Sequence, residues 1–387
     1  VNKPRKIAVV TGSRAEYGLL HWVLHDLHAA PDFELQLIVT GMHLAPEFGM
    51  TVREIEKDGL PIARKVEMLL SGDTPGGVAK SMALGLLGMS DALEQLAPDA
   101  LLVLGDRFEI MTAVQAAMTH NIPIAHIAGG DTTEGAFDEA IRHAITKMSH
   151  LHLVTNELSA QRVRQMGENP EHIHIVGNPG LDHLHRLKLL NRQALEAALG
   201  APLGQKNLLI TFHPVTLEPG EELRQQRELL CALAGLPEDT VCWFTLPNAD
   251  TGGRTLAADL QQWAANRPNA HVFASLGQLR YLSLMAVADM VVGNSSSGLY
   301  EAPSFKRPTV NIGDRQRGRL AAASVIHCDP CADSIRAAQA NAWTMDCSAV
   351  VNPYGDGHSA SRIVQALREL PIDNTLLKKQ FHMISEV

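Results

Sequence analysis

Short runs rich in valine, isoleucine and leucine alternate along this chain with longer stretches in which apolar residues recur every three to four positions. The short runs have the length and composition of strands buried on both faces, and the longer ones have the period of helices that cover them. In the first half this pattern predicts strands at 6–11, 34–40, 100–104, 122–127, 151–155 and 172–176, with helices at 17–29, 78–96, 110–120, 138–149 and 159–166. The second half repeats the rhythm, with strands at 207–212, 240–246, 270–274, 290–292, 309–312 and 324–327 and helices at 221–234, 254–266, 278–288, 298–304 and 332–343. Each half thus holds about six strands. A cluster of turn formers, Gly177-Asn178-Pro179-Gly180, marks the seam between them. The expectation is an α/β protein of two Rossmann-like domains with parallel sheets, 1–177 and 178–365. A helix at 358–370 leads into a polar tail, and 366–387 is expected to pack back on the first domain.

Composition supports this picture and narrows it. A length of 387 residues suits two domains, and 45% hydrophobic with 19% charged residues leaves no room for extensive disorder. The net charge of −9 argues against a partner that is nucleic acid or an anionic membrane, so an anionic ligand needs a local positive site. No apolar run has the length of a membrane span, and Val1-Asn2-Lys3-Pro4-Arg5-Lys6 leads straight into a strand. With only five cysteines, a cytoplasmic location is expected. Cys328-Asp329-Pro330-Cys331 lacks a second pair at zinc-ligand spacing and reads as two small buried residues, so no metal is expected.

In open parallel sheets, ligands bind beyond the carboxyl ends of the strands, and polar motifs follow the predicted strands here. Thr11-Gly12-Ser13-Arg14-Ala15-Glu16 opens a helix without a GxGxxG or P-loop pattern, which removes support for a dinucleotide cofactor and leaves a turn suited to phosphate or a nucleoside edge. Leu104-Gly105-Asp106-Arg107-Phe108-Glu109 puts a carboxylate and a guanidinium side by side, which packing alone explains poorly. His126-Ile127-Ala128-Gly129-Gly130-Asp131 ends a strand in a double glycine and an acid. Asp138-Glu139-Ala140-Ile141-Arg142-His143 starts a helix in which Asp138 with Arg142, and Glu139 with His143, stand at ion-pair spacing. In the second half, His213 and Asn248 follow strands. Gly293-Asn294-Ser295-Ser296-Ser297-Gly298 offers hydroxyls and backbone donors to a pyrophosphate, with Glu301 one turn in for a ribose diol. Gly313-Asp314-Arg315-Gln316-Arg317-Gly318-Arg319 adds three cations in five residues. The first half therefore reads as a carboxylate-rich pocket and the second as a phosphate and nucleoside site.

This ordered set of motifs resembles the hydrolysing UDP-N-acetylglucosamine 2-epimerases of bacterial sialic acid synthesis, from about residue 5 to 365. The resemblance implies a GT-B fold with an interdomain cleft, no redox cofactor, and conversion of UDP-N-acetylglucosamine to UDP and N-acetylmannosamine by elimination to a glycal followed by hydration. It matches Asp106 and Asp138 to the proton-transfer carboxylates, and Arg14, Ala15, His213, Leu276, Ser295, Ser296, Glu301 and Arg315 to positions that hold UDP, with Arg107 and Asn248 beside them. Several members carry glutamate where this chain has Ala128; Asp131 either replaces that third catalytic carboxylate or orients the sugar. The small Ala128 also suits the bulkier C4 substituent of UDP-2,4-diacetamido-2,4,6-trideoxyglucose, on the route to legionaminic acid. A third alternative is a non-hydrolysing epimerase, which returns the UDP sugar. By resemblance the protein assembles as a homodimer or homotetramer.

Overall fold

The computed structural model describes residues 3–70, 74–132, 137–213, 221–246, 253–372 and 374–383. Two compact units are present: residues 1–183 with 354–387, and residues 184–353.

The first unit is built on a seven-stranded parallel sheet. Its strands are β1 (Arg5–Thr11), β2 (Phe33–Thr40), β3 (Ile62–Val66), β4 (Ala100–Leu104), β5 (Ile124–Ile127), β6 (Leu151–Val154) and β7 (Ile173–Ile175), in the order β3-β2-β1-β4-β5-β6-β7. Successive side chains alternate between faces, so one strand feeds two cores. Ile7 and Val9 pack with helices Arg14–Ala29 and Ser359–Glu369, whereas Ala8 and Val10 pack with Pro75–Leu96 and Phe108–Thr119. The sequence pattern contained six of these strands. It passed over β3, an edge strand whose Ala63-Arg64-Lys65 centre has no apolar run and is partly exposed.

The second unit carries a six-stranded parallel sheet. Its strands are β8 (Lys206–Thr211), β9 (Thr240–Thr245), β10 (Ala270–Phe273), β11 (Met290–Gly293), β12 (Thr309–Ile312) and β13 (Val325–Cys328), in the order β10-β9-β8-β11-β12-β13. Leu208 and Ile210 face helices Glu222–Leu233 and Ala332–Thr344, while Leu209 and Trp243 face Arg192–Leu199 and Gly277–Val287.

The division differs from the expected 178–365 at both ends. The Gly177–Gly180 turn lies inside the first unit, where Asn178 N–H donates to the Tyr354 carbonyl at 2.7 Å. Residues from 354 onward return to that unit because helix Ser359–Glu369 buries Ile363, Val364 and Leu367 against Leu20, Leu24 and Leu27 of helix Arg14–Ala29. Asp182 caps the returning helix, accepting from Ser359 N at 2.8 Å and Ala360 N at 2.7 Å. Cys331 is exposed at the N-cap of helix Ala332–Thr344, contrary to the expected buried pair; burial pushes the neighbouring Cys328 thiol up to about 12. No described helix is long and apolar enough to cross a membrane.

Candidate active site

In each sheet the strand order reverses beside the first strand of the unit, between β1 and β4 and between β8 and β11. Loops leaving the carboxyl ends at such a switch point diverge and leave room for a ligand. The predicted motifs of both units stand on these loops and their immediate neighbours.

In the first unit, Ser13 caps helix Arg14–Ala29 by accepting from Glu16 N–H at 3.3 Å, and Glu16 reaches back to accept from Gly12 N–H at 2.8 Å. Glu16 is buried beside Glu109, and burial, reinforced by the Glu109 charge, pushes its carboxyl up to about 8. Its Oε1 is buried with no hydrogen-bond partner among the described residues. Arg107 answers Glu109 with a two-pronged contact, Nε to Oε2 at 3.1 Å and Nη2 to Oε1 at 2.9 Å. Burial works against the Arg107 charge, but Glu109 outweighs it with Asp138 contributing, and the guanidinium is held above its ordinary range. Arg14 and Ala15 are exposed on the first turn of the helix, where Arg14 pairs with Glu54 at 3.2 Å.

Across the switch point, Asp106 is gripped by the Arg142 guanidinium, which also donates to the Asp131 carbonyl at 2.8 Å and to Glu139 at 3.3 Å. The spacing of Arg142 had suggested Asp138 as its partner; these contacts run instead to Asp106 on another loop and to Glu139. Glu139 also meets His143 at 3.1 Å, as the spacing predicts. Asp106 Oδ1 carries no hydrogen bond among the described residues, and the half-buried Asp138 carboxylate has none on either oxygen. His126, kept neutral by burial that pushes it down to about 4, meets the Gly105 carbonyl at 2.7 Å and fixes the turn in front of Asp106. Asp131 is drawn the other way: its Oδ1 accepts from Thr155 Oγ1 at 2.7 Å and Ser159 Oγ at 2.6 Å. Ala128 adopts a left-handed conformation with φ of 64° and its N–H donates to the Leu153 carbonyl at 3.0 Å.

The second unit gathers His213, Asn294 and Arg315 into one knot. Asn294 accepts from His213 N–H at 2.7 Å and donates back to the His213 carbonyl at 2.9 Å. The Asn294 carbonyl in turn accepts from Arg315 Nη1 at 3.1 Å and Gln316 Nε2 at 2.8 Å. Glycine is required just before it, since Gly293 has φ of 132° and a Cβ there would stand 2.0 Å from the Thr211 carbonyl oxygen. Ser295 and Ser296 are half-buried on the following turn, and Ser297 joins Ser295 at 3.2 Å and Tyr281 at 2.5 Å. Burial pushes the Glu301 carboxyl up to about 7, and its Oε2 is buried with no hydrogen-bond partner among the described residues. Arg317 and Arg319 line a hollow beyond β12 and β13 with His327 and Ser334, and Arg319 Nη1 donates to Gln316 Oε1 of the knot at 2.7 Å. Leu276 packs its side chain in the core, so only its backbone is available to a ligand. Asn248 lies outside the described residues.

Two groups of consequence escaped the sequence pattern. The Ser13-x-x-Glu16 spacing is a capping-box signal and would have revealed the Glu16 bond. The Asn294 clamp on His213 joins loops 81 residues apart, and no local spacing announces it.

Among solved structures, UDP-GlcNAc 2-epimerase from Neisseria meningitidis bound to UDP-GlcNAc superimposes with a TM-score of 0.78 at 20% identity, covering 94% of this chain and all of that one. Fold and loops together define a two-domain α/β protein of the GT-B class. The family model for UDP-N-acetylglucosamine 2-epimerase matches residues 25–368, and the chain belongs to that family. A GDP/UDP-N,N'-diacetylbacillosamine 2-epimerase (hydrolyzing) from Campylobacter jejuni is 41% identical over 83% of this chain and 84% of its own length. A UDP-N,N'-diacetylbacillosamine 2-epimerase (hydrolyzing) from Legionella pneumophila is 36% identical over 97% and 98%.

Proposed function

We propose that this protein is a hydrolysing 2-epimerase that takes UDP-N,N'-diacetylbacillosamine, which is UDP-2,4-diacetamido-2,4,6-trideoxyglucose, to UDP and the free manno-configured sugar. The observation that carries the reaction is the pair of carboxylates at the first unit's switch point. Asp106 is oriented by Arg142 with one oxygen open, and Asp138 stands without a hydrogen-bond partner among the described residues. One takes the C2 proton while the C1–O bond breaks and its electron pair leaves with UDP, forming the C1=C2 bond of a glycal. Water then adds its oxygen to C1, and C2 receives a proton on the face that gives the manno product. UDP leaves as an anion and needs charge stabilisation more than protonation. His213, Arg315 and the Ser295–Ser296 turn serve that role, and the unpartnered Glu301 oxygen suits a ribose hydroxyl donor. Asp131, already bonded to two hydroxyls, is assigned to positioning.

Two things favour the diacetamido sugar: the names of the relatives at 41% and 36% identity, and the methyl side chain of Ala128 beside the double glycine. UDP-N-acetylglucosamine is the second reading, favoured by the family description. NMR of each reaction in D2O separates them. The expected result is free sugar carrying deuterium at C2 from the diacetamido substrate, with UDP-N-acetylglucosamine slower by about 10- to 200-fold. Full rate on UDP-N-acetylglucosamine alone would reverse the substrate assignment, and an epimerised UDP sugar would make the enzyme non-hydrolysing. Asp106→Asn and Asp138→Asn are expected to lose turnover by more than about 100-fold while keeping UDP affinity. Loss of UDP affinity in either would overturn the division of roles between the units.

A further inference from the structure

Helix Arg14–Ala29 carries Tyr17, His21 and His25 at successive four-residue steps, so the three side chains form one stripe. Asp58, which ends the short helix Val52–Lys57, lies against that stripe. Its Oδ2 is 3.5 Å from His21 Nδ1 and accepts from the Tyr17 hydroxyl at 2.5 Å. One donor atom each from His21, His25 and Asp58 lies within 4.8 Å of the others.

From this arrangement we propose that His21, His25 and Asp58 bind a single divalent ion of the zinc class, with water completing the coordination. Two imidazole nitrogens and one carboxylate oxygen are ligands that zinc, cobalt and nickel share and that calcium and magnesium do not favour. A four-coordinate ion with bonds near 2.0–2.1 Å needs donors roughly 3.3 Å apart, so closing the site takes an ångström or so of side-chain rotation. His25 is half-buried, with its ring 4.5 Å from that of His21 and 6.0 Å from that of Trp22, and a rotation of that size about its own side-chain bonds brings its nitrogen to the ion. The surroundings already hold the other ligands in place. The His21 ring is stacked on His183 at 5.9 Å and meets Trp22 edge-on at 4.7 Å, and the Tyr17 hydroxyl fixes Asp58. Such outer contacts are what orient metal ligands.

The site lies two turns along the helix from Ser13, and Glu54, the partner of Arg14, is on the same short helix that ends at Asp58. A bound ion therefore staples helix Val52–Lys57 to helix Arg14–Ala29 and steadies the segment that presents Arg14. It takes no part in the proposed proton transfers.

The test uses the full-length protein stripped with chelator and titrated with zinc chloride by calorimetry, with cobalt(II) absorption as a second readout. One ion per chain is expected with a Kd below ~10 µM, a rise in Tm, and cobalt bands of four- or five-coordinate geometry. His25→Ala and Asp58→Asn should each weaken binding more than tenfold, keep the circular dichroism of the parent and leave metal-free activity unchanged. Absence of saturable binding, or binding of equal strength in both variants, overturns the proposal.

Discussion

Glu16 is a carboxylic acid that the fold keeps protonated near neutral pH, and this has a measurable cost. In the unfolded chain it ionises near 4.5; in the folded protein burial beside Glu109 pushes it up to about 8. Between those values the unfolded chain has released a proton that the folded one retains. The Glu16 penalty is therefore absent below about pH 4.5, grows by ~1.4 kcal/mol per pH unit and levels off above about pH 8, at about 5 kcal/mol in all. Glu16→Gln keeps an acceptor for the Gly12 N–H and presents amide hydrogens where Glu109 repels a charge, but it cannot titrate. The variant is expected to lose this slope and to exceed the parent by about 4 kcal/mol at pH 7.5, the two converging below pH 5. Because the chain has two units, the assay must read the first one: hydrogen exchange at the β1 amides Val9 and Val10, from about pH 5 to about pH 9, corrected for intrinsic rates. If parent and variant show the same pH slope, Glu16 is not held neutral and the reasoning fails.

Gly293→Ala forces a Cβ to 2.0 Å from the Thr211 carbonyl oxygen and displaces the Asn294 clamp; about 3 kcal/mol of stability and most UDP affinity should go, checked by thermal melting and calorimetry, and an unchanged melt would contradict it. Glu168 is buried and accepts from His152 at 2.9 Å, Lys147 at 2.7 Å and Lys379 at 2.6 Å; burial alone would raise its carboxyl, but these partners outweigh it and hold it down at about 2. Its contribution is therefore present above about pH 4.5 and lost as pH falls towards 2. Glu168→Gln should cost about 2 kcal/mol at pH 7, allowing for water around the half-exposed Lys147, and the gap should close in acid, as urea denaturation at each pH would register.

Apolar runs such as Ala100–Leu104 made most strands legible, because a strand buried on both faces must be apolar throughout. The Gly105-Asp106-Arg107 and Gly293-Asn294-Ser295 loops were legible for a related reason: charged and hydroxyl groups directly after such a strand have no role in packing. What stayed hidden depends on contacts between distant positions. Arg142 reaches Asp106 across 36 residues, although a closer acid stands at ideal helical spacing. His21 and His25 fall within the predicted helix at 17–29, and no local spacing brings Asp58 beside them. The return of residues 354–387 was only partly legible: packing on the first domain was expected from residue 366, whereas the chain rejoins that unit from 354, and the apolar residues of the helix 358–370 do not say which helix they cover.

That return sets an order of events during synthesis. Residues 184–353 are continuous and can complete their sheet as soon as they have emerged. The unit encoded first must wait, because Ile363, Val364 and Leu367 cover Leu20, Leu24 and Leu27. At about 5–20 residues per second, the roughly 330 residues between the two helices take the ribosome roughly 20 to 60 seconds, during which that apolar stripe is open to chaperones or to other chains. A circular permutant that begins at Tyr354 would deliver the covering helix first and close this window.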